Sequence, residues 1–151
     1  MATFDIRDLD CGSENELRLC AIAYLTSPLE WDSEYNYREE TLNGVIQQFT
    51  DQKSKKKLLV ATCLEKVVGF HWLELSTMHE VLMGKIHSLW VHKDYRNLGI
   101  AKRLKQTGEE WAKTHGAESM YTRVSTDNSK MLSINEKYGF KAKSINMFKD
   151  F

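Results

Sequence analysis

The sequence predicts an α/β sandwich, a mixed β-sheet of about six to seven strands flanked by about four helices. Three observations predict it. Short apolar runs with strand character alternate with longer stretches whose apolar residues recur at helical spacing, in the order β, α, α, β, β, β, α, β, α, β. Two of the helical stretches stop at a glycine, Gly116 and Gly139, where a left-handed cap belongs. Ahead of the first of these lies a strand, Leu89-Trp90-Val91, that turns over Arg96-Asn97-Leu98-Gly99-Ile100-Ala101 into a long helical pattern.

Thr3 to Leu9 alternates Phe4 and Ile6 with polar residues, which suggests a first strand. Ser13 with Glu16 three residues on forms a capping box, and Leu17, Cys20, Ala21 and Tyr24 follow at helical spacing until Ser27-Pro28 breaks it. A loop from Leu29 to Tyr37 mixes three aromatics with three acids. A second helix over Arg38 to Phe49 turns Leu42, Val45, Ile46 and Phe49 inward. The four lysines between Lys53 and Lys57 read as a solvated loop before a strand.

Leu58 to Leu64 and Val67 to Leu75 form a hairpin over a Glu65-Lys66 turn. After a polar loop at Met78-His79-Glu80, Lys85 to Val91 is the next strand. The helix Ile100 to His115 carries Leu104 and Trp111 inward. Met120 to Thr126 is a strand, Asp127 or Asn128 caps the last helix, and Lys141 to Phe148 closes the sheet.

Length and composition set the bounds. A chain of 151 residues is expected to form one domain, 1–151, with a sizeable core. Hydrophobic residues at 42% and charged residues at 28% fit a globular protein. No apolar run reaches membrane-spanning length and the N-terminus carries no signal-peptide pattern, so no membrane partner is expected. Cys11, Cys20 and Cys63 are odd in number and unspaced for metal; they read as reduced thiols in a cytoplasmic protein that binds no metal. A formal net charge of zero argues against nucleic acid as a partner.

The strand–turn–helix around Gly99 has a chemical meaning. It presents backbone N–H groups at the positive end of a helix, a geometry that holds anions and phosphates above all. Gly99 and Ala101 are small where bulk would keep a ligand from the backbone, and Arg96 adds a cation.

These residues read Leu89-x-Val91, then Arg96-x-x-Gly99-x-Ala101, then Leu104, and a second element follows as Asn128-x-x-Met131-x-x-Ile134-x-x-Lys137-x-Gly139-Phe140. In this order the two resemble the signature of the GNAT superfamily of N-acetyltransferases. The resemblance implies the same order of elements and acetyl-CoA as co-substrate. It also implies that the strand ending at Val91 and the strand ending near Thr126 splay apart around the pantetheine arm. By correspondence, the main chain of Leu89, Trp90 and Val91 grips pantetheine, and a backbone N–H of that strand faces the oxyanion. Arg96, Asn97, Leu98, Gly99, Ile100, Ala101 and Lys102 surround the pyrophosphate, with Asn128, Asn135 and Lys137 completing the cofactor set. Asn128 can serve as a plain helix cap at the same time.

Acetyl transfer to an amine needs a base, since alkyl ammonium ions have pKa values near 10. His87 stands two residues before Leu89, which predicts the same strand face. The string His87-Ser88-Leu89-Trp90-Val91-His92 resembles the arylalkylamine N-acetyltransferase branch, where a histidine here joins a proton path. A strand histidine also serves as a packed structural residue; His71 on the neighbouring strand is the reserve. Many relatives carry a tyrosine acid seven residues after the asparagine; here that position is Asn135, which can donate a hydrogen bond but cannot give up a proton. Tyr138, one turn later, reads as packing.

The loop from Glu30 to Tyr37 occupies the region that walls the acceptor site in such proteins. Trp31, Tyr35 and Tyr37 offer stacking faces, while Glu30, Asp32 and Glu34 attract a cation. Trp31, Tyr35 and His71 are the candidate substrate-binding residues, and the expected acceptor is a small primary amine attacked in a ternary complex. The rivals are a protein lysine or N-terminus as acceptor, and a CoA-binding module with little catalysis. The oligomeric state is open, a homodimer included.

Overall fold

The computed structural model describes residues 3–151. Its regular elements are β1 (Asp5–Asp8), α1 (Glu14–Thr26), α2 (Leu42–Thr50), β2 (Lys56–Cys63), β3 (Lys66–Met78), β4 (Val81–Val91), α3 (Ile100–Thr114), β5 (Ser119–Thr122) and α4 (Ser129–Lys137). The strands lie in the order β1-β2-β3-β4-β5. The first four pair antiparallel, and β5 joins parallel to β4 through the crossover helix α3. Among the described residues no helix is long and apolar enough to cross a membrane.

Three of the four helices begin where the sequence puts them; α2 starts at Leu42 rather than Arg38, behind a short turn at Glu39–Thr41. Ser13 caps α1, its hydroxyl accepting from the Glu16 N–H at 3.2 Å. The Glu16 carboxylate is nearly buried and pairs with Arg7 of β1 at 2.8 Å, tying the helix to the sheet edge. Gly116 and Gly139 follow α3 and α4 in the left-handed region, with φ of 90° and 92°.

Both faces of the sheet are covered. Phe49, Leu58, Val60, Phe70 and Trp72 pack with α1 and α2 on one face. Leu59, Ala61, Val68, Val91, Ile100 and Leu104 pack under α3 on the other. Phe70 is fully buried and meets Phe49 with ring centroids 5.4 Å apart. Burying one such ring stabilises the fold by about 1.5–3 kcal/mol. Along α3 the buried residues are Ile100, Leu104, Lys105, Gly108 and Ala112. Trp111 points differently from expectation: it is only half-buried and lies against His115, centroids 5.1 Å apart. Gly108 lets the helix approach β3, since a Cβ there would meet Leu73 Cδ1 at 2.9 Å and the His71 ring at 3.0 Å.

Three expectations are corrected. The sheet has five strands, not six or seven: Lys141–Phe148 forms no strand, and Ile145 and Phe148 are 77% and 87% exposed. A strand needs a partner edge to satisfy its backbone. β5 offers only four residues and ends at Thr122, short of the predicted Thr126. Second, the hairpin turn is Leu64-Glu65, because Cys63 pairs with Lys66. Third, the polar loop at Met78–Glu80 is a two-residue turn, His79-Glu80, with Met78 paired to Val81. All four turn residues have positive φ, 49° and 66° in the first turn and 50° and 67° in the second. That is the turn geometry matched to strand twist, here built without the glycine or asparagine that usually announces it. β3 and β4 are therefore longer than their apolar runs.

The lysine run also has a structural role. Lys56 and Lys57 open β2 and pair with Asp51 and Asp8 at 2.8 and 2.7 Å.

Candidate functional site

β4 and β5 pair from Met83↔Ser119 to Ile86↔Thr122 and no further. From His87 to Val91 the β5-facing edge of β4 is open. At the same point β4 bulges: Leu73 pairs with Ile86 and Trp72 with Ser88, so His87 has no opposite residue. A bulge puts two residues where one belongs and breaks the alternation of side chains. The consequence overturns the expected shared face of His87 and Leu89. Leu89 packs against the core beneath α3, whereas the His87 ring stacks on Trp72 on the α1–α2 side, centroids 4.5 Å apart.

Past Val91 the chain makes a short turn at Lys93–Tyr95, where His92 Nδ1 accepts from the Asp94 N–H at 3.1 Å. Asn97 and Gly99 then take φ values of 65° and 85° and swing the backbone into α3. The first helical bond runs from the Arg103 N–H to Gly99 O, 3.1 Å, so the amides of Ile100, Ala101 and Lys102 have no acceptor within the helix. Ile100 is buried and anchors the turn, while Asn97, Leu98, Gly99 and Lys102 are exposed. A Cβ at Gly99 would meet no protein atom within 4 Å. The space before these amides is therefore open to a ligand.

Arg96 does not reach out from this turn. Its Nε donates to Val91 O at 3.0 Å and its Nη2 pairs with Glu30 of the acidic loop. The turn and the loop are thus joined by one side chain. Asn128 caps α4, its Oδ1 accepting from the Met131 N–H at 3.2 Å, which leaves its amide nitrogen to donate elsewhere. Asn135 is buried inside the α3–α4 contact, where its Oδ1 accepts from Lys105 Nζ at 2.6 Å. Lys137 is exposed in the last turn of α4, at the end opposite Asn128. The structure does not bring it to the Gly99 turn.

The His87 side chain is 21% exposed and its Nε2 lies 3.6 Å from Glu74 Oε1, a charge contact rather than a full hydrogen bond. Burial lowers the His87 pKa, and the Glu74 carboxylate opposes that shift. Glu74 is itself held by Ser54, whose hydroxyl donates to Oε2 at 2.9 Å. Trp72 meets Tyr24 edge-on at 5.2 Å, and Tyr35 acts on Tyr24 closely enough to help burial raise its pKa. A run of aromatic rings therefore leads from Tyr24 through Trp72 to His87. Trp31 and Tyr35 are half-buried along that loop. Trp72, Tyr24 and Glu74 were missed in sequence because each reads as an ordinary packed or strand residue; only the bulge aligns them.

His71 is corrected from its reserve role. It is fully buried on the α3 face, opposite His87, with its Nδ1–H donating to Ser88 O at 2.9 Å. Burial lowers its pKa to about 4, with Lys105 adding to the shift. The folded value lies below the unfolded one, near 6.5. Stability is therefore full above neutral pH, falls as pH drops through 6.5, and levels off near 4. The expected loss across that window is on the order of 3 kcal/mol. Denaturant titrations at pH 7 and pH 4 should show most of it. His71→Asn, which keeps a donor for Ser88, should be less stable at pH 7 but flatter in pH. An equally steep dependence in that variant would assign the effect to other groups, His87 first.

Residues 19–140 match the model of the acetyltransferase (GNAT) family. A mycothiol acetyltransferase of Corynebacterium glutamicum is 30% identical over 76 residues, 50% of this chain and 25% of that protein. The chain thus spans about a quarter of the length of the curated relatives it matches. Among solved structures, a putative acetyl transferase from Pyrococcus furiosus superposes with a TM-score of 0.79 at 22% identity, covering 99% of this chain and 100% of that one. AAC(6')-Iy in complex with the bisubstrate analog CoA-S-monomethyl-acetylneamine gives a TM-score of 0.75 at 15% identity, covering 99% of each chain. At these identities the structural likeness speaks for the fold.

Proposed function

This chain belongs to the GNAT acetyltransferase family, and from that premise we propose that it is an acetyl-CoA-dependent N-acetyltransferase acting on a small primary amine. One observation carries the reading: the open edge of β4 from His87 to Val91 leads directly into the unobstructed amides around Gly99. That run of unpaired backbone fits an extended amide-bearing arm ending in a diphosphate. When bound, acetyl-CoA supplies the acyl group as an activated thioester.

The chain's own residues divide the remaining work. Main-chain groups of Leu89, Trp90 and Val91 grip the arm and offer an N–H to the developing oxyanion. The amides from Asn97 to Lys102 hold the diphosphate, and the Asn128 amide nitrogen adds a donor. His87, kept neutral by burial, takes the proton from the attacking amine, directly or through water. Glu74 stabilises the imidazolium that results. Trp31, Tyr35, Tyr24 and Trp72 form the aromatic wall of the acceptor site, and Glu30, Asp32 and Glu34 draw a cationic amine toward it. The three cysteines, none paired in a disulfide, fit a reducing cytoplasmic setting.

The name of the curated relatives, mycothiol acetyltransferase, supports a small-molecule acceptor. A thiol-release assay with a panel of polyamines, arylalkylamines, amino sugars and peptides tests the proposal. Turnover on a small amine is the expected result. Turnover confined to peptides would transfer the assignment to a protein acetyltransferase, and CoA binding without turnover to a binding module.

A further inference from the structure

Lys105 is 6% exposed, on the inner side of α3 between Leu104 and Gly108. A lysine so deeply placed is uncommon unless a counter-charge accompanies it. None does. Its Nζ donates to the neutral Asn135 Oδ1 at 2.6 Å and sits over the rings of Tyr138 and Phe140, 5.1 and 5.0 Å from their centroids. Among the described residues no carboxylate lies within ion-pair distance of it. Glu109, one turn along α3, is the acidic group whose charge reaches it, and burial still lowers its pKa overall.

The position matters as much as the charge. Gly108, the next inward residue, abuts the His71 ring, and His71 is bonded to Ser88 O. Ser88 lies just past the last β4–β5 pair, Ile86↔Thr122. Lys105 therefore stands at the level where the two strands part, held there from α4 by Asn135. Asn135 itself has no proton to give.

We propose that Lys105 is the cationic group that stabilises and protonates the CoA thiolate released by acyl transfer, with Asn135 positioning it. The inference rests on the acetyl-transfer reading above. As the amine nitrogen forms its bond to the acyl carbon, the carbon–sulfur bond breaks and its electron pair goes to sulfur. The proton lost by the amine passes through His87 to solvent. Sulfur takes a proton from Lys105, which solvent restores. The count closes, with one proton leaving the amine and one ending on the thiol. Burial lowers the ammonium from its ordinary value in the direction of the thiol's, near 8.5, which favours this exchange.

The decisive measurement is an ultraviolet titration of the thiol of CoA bound to the protein. Bound to the wild-type chain it should ionise at lower pH than free CoA. In Lys105→Met and Lys105→Gln it should return to the free value or above. The other titratable groups against Lys105, namely Glu109 on α3, His71 on β3 and Tyr138 beyond α4, remain in both variants and so are held constant. In turnover, the variants should lose roughly ten- to a hundredfold in kcat with KM for acetyl-CoA almost unchanged, and Lys105→Arg should recover part of the loss. A wild-type bound thiol that titrates like free CoA overturns the proposal without need of any variant. CoA that fails to bind the wild-type chain overturns the acetyl-CoA reading as well, so the two failures are distinguishable.

Discussion

Gly99→Val should remove CoA binding from a protein that remains folded. Valine at φ of 85° is strained because its branched Cβ is unfavourable in the left-handed region. Nothing in the protein lies within 4 Å of that Cβ, so the side chain meets no core and the melting transition should survive, at somewhat lower temperature. What it meets is the space before the amides of Ile100, Ala101 and Lys102. Losing two or three hydrogen bonds to a charged diphosphate, at about 1.5–3 kcal/mol each, lowers affinity by more than roughly a hundredfold. Arg96→Ala should lose less, about tenfold or under, because that side chain is already committed to Val91 O and Glu30. Isothermal titration with CoA measures both. An unaltered affinity in folded Gly99→Val would sink the phosphate-binding role of this turn.

The contrast between these two substitutions marks what could be read from residue order. Backbone devices with a dedicated residue type were legible: the Ser13 cap, the Gly116 and Gly139 stops, and the Gly99 turn into α3. So was the order of elements through α4, since apolar periodicity survives in each. The two hairpin turns were not, because Leu64-Glu65 and His79-Glu80 adopt positive φ without the usual residues. The pairing of β2 with β3 and of β3 with β4 holds them there. Side-chain destinations that depend on pairing were not legible either. Arg96 looked like a free cation because Glu30 is distant in sequence. The bond from Lys105 to the Asn135 carbonyl was hidden because nothing at either position reveals the other across the helix contact. His87 looked coplanar with Leu89 because period-two counting cannot see an inserted residue in the strand. The final strand failed for a different reason. Ile145 and Met147 carry the alternation, yet a strand is decided by its neighbour's edge, and β5 supplies too little of one.

The bulge at His87 sets up the prediction with the largest effect on rate. If His87 takes the amine proton, kcat/KM should rise with pH through an apparent pKa below the ordinary histidine value, since burial favours the neutral ring. The base form then predominates at neutral pH, and the profile should be level there before other groups titrate. His87→Ala and His87→Gln should lower the rate at pH 7 by roughly ten- to a thousandfold, the span of a lost general base. CoA affinity should barely move, because backbone groups do that gripping. Higher pH should partly rescue both variants, as more amine becomes neutral without help. Glu74→Gln gives the complementary sign. The carboxylate raises the His87 pKa, so its loss should shift the acid limb to still lower pH and reduce kcat modestly, with KM for acetyl-CoA unchanged. A purely structural Glu74 would leave the limb in place. If both His87 variants instead keep wild-type activity and an unaltered profile, the imidazole is only a stacking partner for Trp72. The proton would then leave through water, since His71 is sealed on the far face of the sheet with its one N–H bound to Ser88.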